Sequence, residues 1–294
     1  MDLALIAKRL DAYERLVRLD KPVGALLLLW PTLWAVWLAS GGQPALRVVV
    51  VFVLGTFLMR SAGCAVNDYA DRDFDPFVKR TRERPLAARE IAPVEALAVA
   101  GALSLAAFGL TLLLNGFAIA LSFLGLAIAA AYPFTKRFFV LPQLVLGVAF
   151  GFGIPMAYAA IQDALPAECW LLLAANICYS FAYDTEYAMV DRDDDAKLGI
   201  HTSALFLGHW DVAAVMACYV GMLALLAVLG IRLDLAWPYY AGLAAGASMM
   251  LHHWRLIRGR TREGSFQAFR HNNWVGGAIF VGIVFSQEGA WPWR

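Results

Sequence analysis

Two acidic clusters interrupt an otherwise apolar chain. The first reads Asn67-Asp68-Tyr69-Ala70-Asp71-Arg72-Asp73-Phe74-Asp75, and the second runs from Asp184 to Asp195, where Asp191, Asp193, Asp194 and Asp195 crowd together. Each contains an Asp-x-x-x-Asp pair, Asp71 with Asp75 and Asp191 with Asp195, and each follows a long apolar run. Carboxylates at the end of a membrane helix are costly, so they mark function by default. Residues four apart share a helix face. Asn67, Asp71 and Asp75 are therefore expected to stack, with Asp68 beside them, and Asp184, Asp191 and Asp195 to do the same. Mg²⁺ prefers oxygen ligands and is typically held by one or two carboxylates plus substrate phosphates. Two such faces turned toward each other predict Mg²⁺ ions bridging a diphosphate, which neutralised in this way is a good leaving group. Asp73, Asp193 and Asp194 fall off these faces and read as solvated or ion-paired.

Basic residues beside the clusters supply candidates for gripping phosphate oxygens: Arg72, Lys79, Arg80, Lys136, Arg137 and Lys197. Tyr132 and Lys136 sit four apart and can act together. The competing role for each cation is topological, as a charge that keeps its loop on one side of a membrane. Arg18 and Lys21 read as interfacial anchors. The five histidines show no metal-ligand spacing, and the four cysteines form no Cys-x-x-Cys pair, so neither structural zinc nor a disulfide framework is indicated.

These residues must be positioned by membrane helices. The 294-residue chain is 61% hydrophobic and only 16% charged, with a mean hydropathy of +0.62. A soluble domain is about 45–50% apolar and about 25% charged. The net charge of +1 gives no electrostatic case for nucleic acid. A helix needs about 20 mostly apolar residues to cross a bilayer. That rule yields nine spans, roughly 23–40, 47–66, 94–114, 117–132, 141–161, 169–183, 212–230, 235–251 and 274–285. Residues 1–21 carry interspersed charges and no cleavable apolar core; they read as an amphipathic helix on the membrane surface, with Leu3, Ile6, Leu10 and Val17 on one side. Lys and Arg concentrate in alternate loops, which predicts a cytoplasmic N-terminus, an external C-terminus and both acidic clusters on the cytoplasmic side. The 120-residue offset between the clusters hints at an internal duplication with a site at the repeat interface.

The pattern Asn67-Asp68-x-x-Asp71-x-x-x-Asp75, followed by Lys79-Arg80-Thr81 and Arg84-Pro85-Leu86, resembles the first signature of the UbiA superfamily of intramembrane prenyltransferases. Tyr183-Asp184-Thr185-Glu186-Tyr187 through Asp195 resembles the second. Asp20-Lys21-Pro22-Val23-Gly24, Leu29 to Trp34, Tyr132 to Arg137 and Asn272 to Gly276 resemble the 4-hydroxybenzoate branch of that superfamily. The likeness runs from about Leu10 to the last span. It implies a single all-α domain over 1–294, a bundle of nine transmembrane helices around a central cavity in a bacterial inner membrane. It implies Mg²⁺ ligation by Asn67, Asp68, Asp71, Asp75, Asp191 and Asp195, with Asp184 as a further ligand, and a diphosphate held among Lys79, Arg80, Tyr132, Lys136 and Lys197. The implied partners are polyprenyl diphosphate, 4-hydroxybenzoate and the lipid bilayer. Asp71, Asp75, Asp191 and Asp195 would drive departure of the diphosphate, and Arg72 or Arg137 would hold the acceptor carboxylate. Glu186 stands where relatives commonly carry Gln, with no role assigned.

Rival readings are another acceptor within the superfamily (homogentisate, a naphthoate or haem) and a cation transporter with an acidic site. A transporter wants its carboxylates near the bilayer midplane, whereas both clusters here fall at span ends.

Overall fold

A computed structural model of the chain describes residues 3–135, 137–199 and 201–287. All regular structure among the described residues is helical. The elements are α1 (Leu3–Leu16), α2 (Val23–Ala39), α3 (Leu46–Asp71), α4 (Pro93–Thr111), α5 (Gly116–Thr135), α6 (Pro142–Gly151), α7 (Gly153–Gln162), α8 (Ala167–Leu198), α9 (Ser203–Leu207), α10 (Asp211–Arg232), α11 (Trp237–Ile257) and α12 (Arg262–Ser286). Each of the nine expected spans falls on one helix, except 141–161, which is split into α6 and α7.

That split has local causes. A Cβ on Gly151 would fall 2.5 Å from Asn176 Nδ2, and one on Gly153 would fall 2.5 Å from Thr32 Oγ1. Backbone therefore packs directly on α8 and α2 at this point, and Pro155 has no N–H to continue the helical ladder.

By length and composition, five segments can cross a membrane: 46–71, 93–111, 116–135, 142–162 and 203–232. The remaining expected spans are shorter or more polar. α2 has 17 residues. α8 carries the second acidic cluster in its last turns, and α11 and α12 carry His and Arg on one half. The chain is an all-α integral membrane protein.

The loops sort to two ends. At one end Gln162 Nε2 donates to Ala39 O at 2.9 Å, Asn115 Nδ2 donates to Ala159 O at 2.7 Å, and Arg232 pairs with Glu168 at 2.9 Å. At the other end lie α1, the 72–92 loop, the C-terminal end of α8 and the α11–α12 connection, where Arg262 pairs with Asp193 and Asp194 at 3.2 Å each. Both acidic clusters belong to this second end. Asp211, fully buried there, ties Arg192 of α8 to Arg260 of the α11–α12 connection.

α1 packs one face on the bundle. Its Ala12 and Leu16 are buried against Ala62 and Ala65 of α3, Leu86 and Ile91 of the loop, and Ala96 and Ala100 of α4. Leu10, on the expected lipid-facing side, is 62% exposed. The reason is electrostatic as well as apolar. Arg9 and Tyr13 bond Glu95 and Arg15 bonds Glu90, which turns the Ala12–Leu16 side inward.

Candidate active site

The first acidic face is helical only in part. α3 ends at Asp71, and Asp75 lies on a short 3₁₀ turn, Asp75–Phe77. Asp75 therefore does not continue the Asn67–Asp71 stack, as four-residue spacing predicts. It is nevertheless buried beside that stack, because Arg84 Nη1 lies 2.9 Å from Asp75 Oδ2 and 3.1 Å from Asp68 Oδ1. Thr81 Oγ1 donates to Asp75 O at 3.0 Å and closes the turn. Asn67 Nδ2 donates to Asp71 Oδ2 at 3.2 Å, the i,i+4 contact the spacing predicts.

Burial pushes the Asp75 carboxyl up from its usual range, against the opposing pull of Arg84. Burial also opposes the charge on Arg84, but Asp68 and Asp75 outweigh it and hold this guanidinium protonated.

The second face does lie on one helix, α8, with Asp191 and Asp195 buried and Asp184 half-buried. Arg80 crosses from the 72–92 loop to Asp191, with Nε 2.9 Å and Nη2 2.5 Å from Oδ2, and its guanidinium stacks 4.4 Å over the Tyr187 ring. The loop therefore bridges the clusters: Arg84 holds Asp68 and Asp75, and Arg80, four residues earlier, holds Asp191. From the other side, Arg18 donates to both oxygens of Asp68 at 2.8 and 3.0 Å.

Among the described residues no three His, Cys, Asp or Glu side chains converge as a closed metal cage. The donor set still fits Mg²⁺. It consists of buried carboxylates in two groups, balanced by the Arg80 and Arg84 guanidinium groups, a set of oxygen donors that suits a cation held by one or two carboxylates.

The cations of the expected site divide into three kinds. Arg80 is in the site. Lys79 and Lys197 are exposed at its rim, and Lys136 lies outside the described residues. Arg72 is directed elsewhere: it donates to Tyr69 O at 2.8 Å, lies 4.5 Å over the Tyr69 ring and pairs with Asp73 at 3.5 Å. Arg137 is exposed, donates to Ala70 O at 2.6 Å, and sits between Phe74 and Phe134.

A residue that reading by spans passes over lies beneath them. Arg60 is seven residues before Asn67 and so on the same face of α3. Its guanidinium is 5.5 Å from the Phe150 ring centre, its Nε is buried without a hydrogen-bond partner, and Tyr132, Tyr183, Tyr187 and Cys64 lie within its electrostatic reach. Tyr132 in turn packs edge-on to Phe150 at 5.9 Å. A lone arginine inside an apolar run was the available signal.

Glu186 faces away from this site. Fully buried on the opposite side of α8, it lies 2.9 Å from Tyr219 Oη of α10 and accepts from Asn272 Nδ2 of α12 at 2.8 Å. Tyr219 Oη is also 3.1 Å from His253 Nδ1, whose Nε2 meets His271 Nδ1 at 2.9 Å.

The UbiA prenyltransferase family model matches residues 28–274. The 4-hydroxybenzoate octaprenyltransferase of Cupriavidus necator is 60% identical over 277 residues, covering 94% of this chain and 97% of that protein. The one of Thiobacillus denitrificans is 59% identical, covering 95% of each. Among solved structures, a UbiA homologue from Aeropyrum pernix superposes with a TM-score of 0.77 at 29% identity, over 88% of this chain and 96% of that one. A homologue from Archaeoglobus fulgidus bound to GPP and Mg²⁺ shares the fold, with a TM-score of 0.72 at 16% identity, over 93% and 98%.

Proposed function

The chain belongs to the UbiA prenyltransferase family, and from that premise we propose that it transfers a polyprenyl group from polyprenyl diphosphate to the 3-position of 4-hydroxybenzoate. The observation that carries this reading is the bridging of two buried carboxylate groups by Arg80 and Arg84, with a half-buried Arg60, its Nε without a hydrogen-bond partner, further along α3. An anionic leaving group suits the first of these, and an aromatic carboxylate suits the second.

Asp68, Asp71, Asp75, Asp191 and Asp195, with Asn67 and Asp184 beside them, would hold Mg²⁺. When bound, that cation neutralises the charge of the departing diphosphate. Arg80 and Arg84, with Lys79, Lys136 and Lys197 at the rim and Tyr132 below, grip phosphate oxygens. The C1–O bond breaks with its electron pair leaving on the diphosphate, and the ring carbon ortho to the phenol oxygen forms the new bond to C1. The ring proton is then lost. The Tyr132, Phe150, Tyr183 and Tyr187 rings exclude water from the reacting carbon, and their faces favour its developing positive charge. Arg60 takes the acceptor carboxylate in place of Arg72 and Arg137, whose guanidinium groups are engaged by neighbouring backbone and rings.

The basic, acidic end of the bundle faces the cytoplasm of a bacterial cell, with the protein in the inner membrane. The test is a prenyl-transfer assay on membranes carrying the protein, with 4-hydroxybenzoate and a polyprenyl diphosphate. Product is expected with Mg²⁺ and none with EDTA. Product undiminished by EDTA refutes the metal-bridged diphosphate. Mg²⁺-dependent diphosphate binding without product from this acid refutes the acceptor.

A further inference from the structure

A small hollow separates the 17–25 segment from the middle of α3. Its volume is about 20 Å³, close to the room one water needs. Arg18, Lys21 and Pro22 form one side, and Phe57, Arg60 and Ser61 the other. The outer rim is open to the surroundings: the Lys21 side chain is 78% exposed. The inner end is Arg60. A Cβ on Gly24 would fall 2.7 Å from Arg60 Nη2, so only glycine leaves this side chain its place against α2. Three cations thus line one small hollow, together with a proline ring and a phenyl ring.

Arg18, in the lining of the hollow, is held by its two bonds to Asp68 and a third to the Arg15 carbonyl. Its backbone is left-handed, with φ of +57°, a conformation that is uncommon for any residue but glycine. Asp68 is also one of the carboxylates assigned to the metal–diphosphate layer.

We propose that this hollow is the port through which the aromatic acid reaches Arg60, separate from the approach of the diphosphate, with Arg18 as its gate. The inference rests on the reading above that the acceptor is an aromatic carboxylate. The chemistry matches on both counts, since cations attract the carboxylate and the Pro22 and Phe57 rings accommodate an aryl group. The gate also imposes an order. The diphosphate layer engages Asp68 first, Arg18 swings aside, and the acid enters a site that is already assembled.

The test uses Lys21→Cys in the full chain in proteoliposomes, with the unsubstituted protein as control for its own cysteines, which are buried or half-buried. Modification by a bulky methanethiosulfonate is followed with and without 4-hydroxybenzoate. With Mg²⁺ and a non-reacting thio-diphosphate analogue present, the acid is expected to slow modification at least severalfold. Without them it should have little effect. The modified protein should show about a tenfold higher KM for the acid and an unchanged KM for the prenyl diphosphate. In an Arg18→Gln, Lys21→Cys chain, the acid should protect without the analogue. Modification indifferent to the acid, with an unchanged KM for it, overturns the port, as does protection by anionic lipid alone. If the acceptor reading itself is wrong, the unmodified protein makes no product from this acid, an outcome distinct from a port that fails while turnover proceeds.

Discussion

Asp68 is shared by two arginines from different parts of the chain, and this decides what a substitution there does. Its side chain is 1% exposed, and Arg18 and Arg84 both lie within 3.1 Å of it. Removing one partner of a buried ion pair costs about 3–5 kcal/mol when the remaining charge is stranded. Arg84 keeps Asp75, and Arg18 keeps the Arg15 carbonyl and a partly exposed side chain, so neither guanidinium is fully stranded. Asp68→Asn should therefore lose activity and about 1–3 kcal/mol of stability, and a thermal-unfolding scan in detergent beside the transfer assay checks both. Asp191→Asn should abolish turnover, and a double-mutant cycle with Arg80→Gln should show coupling in stability, because the two side chains share bonds. Arg60→Gln is expected to raise the KM for 4-hydroxybenzoate by about 10–100-fold, the worth of a charge-assisted bond, and to leave the KM for the prenyl diphosphate near that of the native protein. An equal rise in both constants would remove Arg60 from the acceptor layer. The acidic residues were legible in the sequence because carboxylates are rare in apolar runs. Arg60 was present in the same run, but counting spans absorbs a single charge. Arg72 and Arg137 turn to neighbouring backbone and rings, and adjacency to a motif says nothing of where a side chain turns once its helix has ended.

At the scale of elements, spacing held where the helix held. α8 continues unbroken from Ala167 to Leu198, so Asp184, Asp191 and Asp195 keep the helical relation that their numbering implies. α3 stops at Asp71, and the position of Asp75 is then set by Arg84 and Thr81, nine and six residues further on, which periodicity cannot see. The rotation of α8 matters because it aims Asp191 at Arg80. Its far side is fixed by Glu186, Tyr219 and Asn272, which join α8 to α10 and α12. Tyr219→Phe would leave buried polar atoms on Glu186, His253 and Asn272 short of a partner, at a cost of about 1–2 kcal/mol. The expected result is a lower unfolding temperature with the KM for both substrates retained. Glu186→Gln should be close to neutral, since an amide can accept from Asn272 and still bond Tyr219. A large loss of stability in Glu186→Gln would mean that the charge itself, and not the bonding geometry, holds α8 in register.

The whole molecule has an orientation problem that no single helix solves. The helical passes alternate between two ends, and the charges do not distribute evenly. Lys21, Lys79, Arg80, Arg82, Arg84, Arg89, Arg137, Lys197, Arg258, Arg260 and Arg262 cluster at the end that holds the acidic site, while the opposite loops and adjoining helix termini carry Arg47 and Arg232. Basic loops are retained on the cytoplasmic side. On the proposed orientation, the acidic site, which takes a charged diphosphate and a charged acid, opens to the compartment where such anions circulate. α12 starts at the acidic end, where Arg262 meets Asp193 and Asp194. It finishes at the other, where Gln287 closes on Gly42 of the α2–α3 connection so tightly that a Cβ on Gly42 would overlap it. On the proposed cytoplasmic orientation of the acidic end, the C-terminal end of α12 faces the exterior. An alkaline phosphatase fused after Arg294 should be active in intact cells, and one fused in the Glu83–Arg89 loop inactive, with the reverse pattern for a cytoplasmic fluorescent reporter. Phosphatase activity from the 83–89 fusion would turn the molecule over and leave the acidic site on the wrong side for its substrates.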